Sequence, residues 1–448
     1  MSKFQIITLA IFVICIIGGV IAFATFKGNS GSSTLPPITI WGTFPAATFD
    51  DYIAQLNNNL PNQVSIKYVQ ENPDTFPTDF VNALATGQGP DAILVPADML
   101  LPEVNKLTLI PYTALDQRNF INFYIQEAGV YLSQNGILAI PFTVDPLVMY
   151  WNRDTFNAEG IAKYPNYWDE FTGTSQKPGL VQKLTTLDQN GNIRKSAVAM
   201  GDFGTMSNAR EVLGSLLLQL GNRVTMTNTD GSTVSALNVS PETSSIPAFD
   251  FFDQFINPSS PNYSWNAGMS NDKSAFLGGS LATYFGYASE IADLRAKNPN
   301  LNFDVAPLPQ IRPAGGVSKS AFSAQTSQKA VYARMYGFSL VRASANTNAA
   351  YQIISTITSP QYLTTLAQTM YLPTVRTDII AEGSTDPYIS IFNQQALVAR
   401  DWLDVSPVQS RKLFSSIVQS ITSGQKTTDQ AVRDGSDQYD VVLKAAGK

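Results

Sequence analysis

The sequence predicts an α/β protein of two lobes joined at a rigid hinge, and three observations lead there. At 448 residues the chain is longer than one hydrophobic core accommodates, since single cores stop growing at roughly 250–300 residues. Its first globular segment alternates strand and helix periodicities in the order that builds a parallel sheet. Further on, a β-branched and aromatic run following the turn dipeptide Asn135-Gly136 is broken by Pro141 and Pro146. Proline has no N–H to give a ladder, so two short strands are expected to meet here at a non-helical joint.

Ahead of the globular part lies an uncharged segment, Phe4 to Phe26, flanked by Lys3 and Lys27. About 23 residues at about 1.5 Å each give roughly 35 Å, enough to cross the hydrocarbon core of a bilayer. Ala22-Phe-Ala24 would also suit a signal peptidase, but the apolar run exceeds the usual signal core, so residues 1–27 read as an uncleaved anchor. Residues 28–37, beginning Gly28-Asn-Ser-Gly-Ser-Ser-Thr34, have the composition of a flexible tether.

Ile38-Thr-Ile-Trp-Gly-Thr43 reads as a short strand ending in a loop that carries Trp41. Thr48 to Leu60 places Phe49, Ile53, Leu56 and Leu60 at helical spacing, and Val64 to Val69 reads as the second strand. A helix with Phe80, Val81, Leu84 and Ala85 ends at Gly87-Gln-Gly89, and Pro90 to Val95 supplies another buried strand. Gly87-Gln-Gly89 follows a helix and precedes a strand, the reverse of a dinucleotide fingerprint. Asp145 is the only charge from Ile137 to Trp151, so it is either exposed at a crossover or paired.

Past the hinge, Lys177 to Thr186 is expected to be helical and Asp188 to Asn192 to form a turn before the strand Ser196 to Met200. The acids and amides of that turn look superficially like a calcium loop, but Ile193 stands where the sharp bend needs glycine. Ala209 to Leu220 reads as a buried helix, Asn228 to Ser232 as a hairpin, and Ala248 to Ile256 as an aromatic helix. Phe276 to Tyr287 holds a glycine turn and a strand, beside which Phe285 and Tyr287 could present ring faces, although core packing explains such aromatics as readily. Phe303 to Pro309, a Gly315-Gly316 loop, a strand at Tyr336 to Val341 and a helix at Asn346 to Thr358 follow. Pro360 opens the next helix, and Ile417 to Leu443 reads as a terminal helix pair.

Composition removes whole classes of chemistry. Without histidine there is no Ser-His-Asp or Cys-His nucleophile and no His-Glu-x-x-His zinc site. The one cysteine, Cys15, lies in the apolar N-terminal run, so the chain has neither an internal disulfide nor a thiolate metal centre. A net charge of −6 with sparse Lys and Arg gives no footprint for nucleic acid. No cofactor or metal is expected.

Residues 134–171 carry a resemblance. Asn135-Gly136, Ile140-Pro141, Asp145, Trp151-Asn152-Arg153-Asp154 and Tyr167-Trp168-Asp169-Glu170 resemble the hinge segment of the extracellular solute-binding proteins of ABC importers, the family that includes maltose- and oligosaccharide-binding proteins. Gly89-Pro90-Asp91, the glycine turn before Tyr287 and Tyr371-Leu-Pro-Thr374 are similar to further elements of that family. The resemblance implies a type II periplasmic-binding-protein fold: two discontinuous α/β lobes with a hinge and an interlobe cleft, preceded here by an N-terminal transmembrane helix. Lobe 1 would comprise residues 38–142 and 306–357, and lobe 2 residues 143–305 and 358–448. It also implies a non-catalytic receptor, monomeric, on the outer face of the cytoplasmic membrane, whose partners are a permease and, through it, an ATPase.

Carbohydrate sites combine aromatic faces with carboxylates and amides that fix hydroxyl groups, because an unpaired buried polar group is costly. On the family correspondence Trp41, Asp98, Asp145, Phe285, Tyr287 and Trp402 supply that mixture. The alternatives left open are a receptor of the same fold for peptide, polyamine or anion, a glycosidase using Asp98 and Asp145 as its paired carboxylates, and a tethered scaffold without a ligand.

Overall fold

The computed structural model describes residues 35–446 apart from 61–63, 175, 229–231, 240–242, 314–322, 325–327, 403 and 405. The expected anchor, most of the tether and the Gly315-Gly316 loop lie outside the described residues. Among the described residues no helix is long and apolar enough to cross a membrane.

Strand β1 (Ile38–Gly42) leads into helix α1 (Ala46–Asn59), strand β2 (Ile66–Gln70), helix α2 (Phe76–Ala85) and strand β3 (Ala92–Pro96). Both β2 and β3 pair with β1 in parallel, as the βαβ pattern predicts, because a parallel return needs a crossover that a helix provides. Helix α1 buries Phe49, Tyr52, Ile53 and Leu56; three of these belong to the stripe read from the sequence, whose fourth member, Leu60, falls just past the helix end. Trp41 belongs to β1 itself and not to the loop after it. The alternation that buries Ile38 and Ile40 turns Trp41 to the other face, where it is half-buried.

The joint is built differently from the expectation. Strand β4 runs unbroken from Ile140 to Asn152, every residue buried, where the prolines suggested two short strands. Each proline sits where its missing N–H is tolerated. Pro141 faces Gly337 at a register shift, and Pro146 closes the ladder to one neighbour just before Leu147 opens the ladder to another. The later half of the sheet comprises β5 (Ile193–Val198), β6 (Leu281–Tyr287) and β7 (Phe303–Pro307), and helix α3 (Ala209–Gln219) packs against the 331–341 strand. All eleven residues of α3 are buried. Strand β8 (Val331–Val341) starts five residues before the expected Tyr336 and is the second long crossing element.

The result is one eleven-stranded sheet in which β5-β6-β4-β8-β3-β1-β2 follow in that order. The early part of β4 pairs with β8, and its later part lies between β6 and β7. Strands β4 and β8 are thus the continuous backbone joining the two halves. Residues 366–370 pack on α1 and residues 377–381 on the 117–123 helix, while Thr143 Oγ1 donates to the Pro373 carbonyl at 2.7 Å. Helices α4 (Pro407–Thr422) and α5 (Thr428–Ala446) pack on each other and against the 225–235 hairpin and the 246–253 helix. Of the expected helix Lys177–Thr186 only Leu180–Leu184 is α-helical, because Pro178 and Gly179 hold its start outside a helix.

Candidate functional site

Chemistry collects where the sheet changes hands, at the carboxyl ends of β1, β3 and β6 and the middle of β4 and β8. In open α/β sheets this is where loops converge and side chains from separate segments can meet. Asp98 stands in the first turn of the short helix Ala97–Leu100 that follows β3. Burial holds its carboxyl above the usual range, Arg210 and Arg334 pull it down, and Asp404 and Glu211 push it up. Those neighbours come from α3, from β8 and from the 399–404 segment, so this one carboxyl reports the convergence of three elements on the end of β3.

Asp145 is 3% exposed. Its Oδ1 accepts from Ser289 N at 3.0 Å and its Oδ2 from Ser289 Oγ at 2.6 Å. Burial pushes it up to about 6, against the Ser289 bonds and the Arg334 charge. Of the two sequence readings, exposed or paired, it is paired. With both oxygens accepting from Ser289 it braces β4 against the turn after β6.

Phe285 is 3% exposed and packs edge-on against Trp168 at 5.2 Å, with Phe171 beyond it; it is a core ring. Tyr287, two residues on along the same strand, lies under the Arg334 guanidinium at 3.9 Å. Its hydroxyl is buried with no hydrogen-bond partner. Trp402 is buried against α3, where Gly214 leaves room for it: a Cβ there would stand 2.6 Å from Trp402 Cζ3. The Arg210 guanidinium covers the Trp402 ring at 4.4 Å.

Arg210 is the most heavily engaged group. It donates to Asp404 Oδ2 at 2.5 Å, Ser410 Oγ at 2.9 Å, Tyr332 Oη at 3.1 Å and Glu211 Oε1 at 3.2 Å. It ties the 399–410 segment to α3 and β8 and is a structural clamp. Glu211 Oε2, by contrast, is buried without a donor, as is Thr43 Oγ1 at the end of β1. Buried polar atoms are nearly always paired; among the described residues six are not, Thr43 Oγ1 after β1, Trp151 Nε1, Glu211 Oε2, Tyr287 Oη, Asn393 Oδ1 and Trp402 Nε1.

The structure brings Asp98, Tyr287 and Trp402 into one electrostatic neighbourhood with Arg210, Glu211 and Arg334, keeps Asp145 on its flank, and sends Phe285 into the core. Glu211, Arg334 and Thr43 are absent from the sequence reading. Arg334 carried the same signal as Asp145, a single charge in the apolar run Ala330–Val341. Among the described residues no group of His, Cys, Asp and Glu is placed to hold a metal ion. A surface cavity of about 280 Å³ lies apart from this site, between Gly201–Phe203, Ile256 and the end of α4. Its acid, Asp202, is already occupied by Thr205.

The family model of bacterial extracellular solute-binding proteins matches residues 51–390. Among curated protein sequences the chain has no detectable match. Solved structures are similar over nearly the whole chain. The sugar-binding protein MalE from the phytopathogen Xanthomonas citri has a TM-score of 0.68 at 16% identity, over 92% of this chain and 98% of that one. The cyclic α-maltosyl-1,6-maltose binding protein from Arthrobacter globiformis gives 0.68 at 17%, over 92% and 99%. An ABC transporter solute-binding protein from Thermotoga lettingae, bound with α-D-tagatose, gives 0.65 at 17%, over 91% and 99%. At these identities the likeness is one of fold.

Proposed function

The chain belongs to the bacterial extracellular solute-binding proteins, the capture subunits of ABC importers, and from that premise we propose that it captures a sugar or oligosaccharide at the sheet junction and hands it to a permease. The observation that carries the reading is that three of the six unpaired buried atoms, Glu211 Oε2, Tyr287 Oη and Thr43 Oγ1, belong to separate segments at or beside this junction. Sugar hydroxyls both donate and accept, and so can serve a carboxylate oxygen, a phenol and a threonine together. Trp41 offers a ring face, Tyr287 its hydroxyl, Asp98 a carboxyl and Arg334 its donors. Asp145 and Phe285 shape the site from behind, and Trp402 does so from α3.

The two lobes are residues 38–142 with 306–357 and residues 143–305 with 358–448, with 366–381 resting on the first. Strands β4 and β8 cross between them. Ligand stabilises the closed state because only there do Asp98 and Glu211 both reach it. The protein works as a monomeric receptor without catalysis. Phe4 to Phe26 stays attached and holds it at the outer face of the membrane, so intact mass from membrane fractions should match the full chain. Thermal-shift screening of the full chain against sugars, peptides, polyamines and anions tests the solute class. A sugar at 100 times its dissociation constant should stabilise by about 2.7 kcal/mol, and shifts confined to peptides or anions would overturn the carbohydrate reading.

A further inference from the structure

A tyrosine stands where the backbone favours glycine. Tyr371, just past the 366–370 helix, has a φ of +56°, in the left-handed region that a bulky side chain enters only under strain. After the 76–85 and 377–381 helices the same region is taken by Gly87 at +72° and Gly383 at +78°, as is usual at helix ends. A strained residue persists only where its surroundings over-determine it. What holds Tyr371 therefore bears on what it does.

With the lobes divided as proposed above, its backbone is anchored on both sides to the first. Thr369 Oγ1 donates to Gln55 Oε1 of α1 at 2.9 Å, and the Val375 carbonyl accepts from Ile125 N at 2.9 Å. The side chain goes to the second lobe. Its hydroxyl donates to Asp386 Oδ2 at 2.7 Å, and its ring meets Phe392 edge-on with 6.4 Å between centres. Asp386 caps the 387–397 helix, accepting from Tyr388 N at 2.8 Å and Ile389 N at 3.1 Å, and that helix packs on β4 and β7. From the 291–297 helix, Arg295 lies over the Tyr388 ring at 4.7 Å and is hydrogen-bonded to Tyr371 and Tyr388. The connection between the two anchorages is slack by comparison: residues 382–385 are exposed, and a Cβ on Gly383 would meet nothing within 4 Å.

We propose that Tyr371 is a latch between the lobes: its hydroxyl, carried on backbone fixed to the first lobe, holds Asp386 and Arg295 of the second and so sets the lobe arrangement described here. The latch offsets the strain at its own backbone. None of its three members belongs to the site proposed for the solute, so it acts on the position of the lobes alone, and a shift in that position changes how much of the chain is ready to close on a solute.

Pulsed electron paramagnetic resonance between two spin labels tests this in the full chain in detergent micelles. Cys15→Ser clears the native thiol, and Asp51→Cys and Lys183→Cys, both at exposed positions, place one label on each lobe. No solute enters, so the result is separate from the carbohydrate reading. With Tyr371 intact the interlobe distance should be single and narrow. Tyr371→Phe keeps the ring and loses only the hydroxyl, and the population at other distances should rise about fivefold, the factor for one half-exposed hydrogen bond. Asp386→Ser keeps a helix cap but withdraws the carboxylate from Tyr371, and should do the same. The double variant should match either single one, because both remove one bond. A second pair within the first lobe, Asp51→Cys with Asn119→Cys, should not change. An interlobe distance that is broad from the start, that stays fixed in both single variants, or that broadens further in the double variant overturns the latch. Broadening of the within-lobe pair overturns it too, since Tyr371 would then support the fold of the first lobe and not its position.

Discussion

Replacing Arg210 by methionine isolates the clamp that holds the 399–410 segment onto α3. The guanidinium side chain is 2% exposed and its partner Asp404 is 0% exposed, so the variant leaves a buried carboxylate without its cation. Removing one member of a buried pair typically costs about 3–5 kcal/mol, because the other charge stays desolvated and uncompensated. Asp404 keeps hydrogen bonds from Ser410 Oγ, Ser406 N and Tyr439 Oη, which places the expected loss near the lower end, about 3 kcal/mol. Urea denaturation should report it as a lower midpoint at unchanged slope. The matching double variant, Arg210→Met with Asp404→Leu, should regain most of the loss, since replacing both ends of a buried pair by apolar groups is often neutral. A loss below about 1 kcal/mol in the single variant, or a double variant no more stable than the single, would refute the clamp.

Three further perturbations separate structure from function. Asp145 titrates near 6 in the folded protein and near about 3.9 when unfolded. The native state therefore binds its proton more firmly, and the stability this contributes is full below about pH 4 and lost as pH rises through about 6. Two units correspond to about 3 kcal/mol, so Asp145→Asn should remove about that much of the difference between the unfolding free energies measured in urea at pH 4 and 7. Gly214→Ala should gain about 1 kcal/mol of helix propensity but force a methyl to within 2.6 Å of the Trp402 ring. Overpacking costs about 1–3 kcal/mol, so net destabilisation with a changed near-ultraviolet circular dichroism signal is expected, and a stabilised variant would mean that Trp402 moves freely. Tyr287→Phe deletes a buried hydroxyl that has no partner. It should raise the stability of the unliganded protein by about 1 kcal/mol while weakening solute binding, and unchanged affinity would remove Tyr287 from the site.

Most of the secondary structure was legible because it rests on local patterns. The stripe Ala350, Ile353, Ile354 and Ile357 is the buried face of the 347–357 helix, and all of α3 is buried as its apolar run implies. The errors came where a partner strand decides. Pro141 and Pro146 break a ladder only if their N–H positions face one, and Pro146 stands at the last pair of one ladder, opposite Ala333, just before the next ladder begins at Leu147. Trp41 was placed one element late because a strand end and a loop look alike when glycine follows.

The site was less legible than the fold for a reason that Asp145 and Arg334 make plain. Each is a lone charge in an apolar strand, and the two face each other across β4 and β8. Their fates differ because of a third segment. Ser289, at the turn after β6, donates to both oxygens of Asp145, whereas Arg334 meets the face of Tyr287 and is hydrogen-bonded to Tyr336. Nothing in either strand's own sequence distinguishes a charge tied by a serine from one laid over an aromatic ring. What separates them is the register that sets Ser289 beside one and Tyr287 beside the other. A Ser289→Ala variant should therefore leave Asp145 with half or less of its hydrogen bonding and raise its titration point further, measured by carboxyl chemical shifts against pH, and a titration point that stays near 6 would show that burial alone sets it.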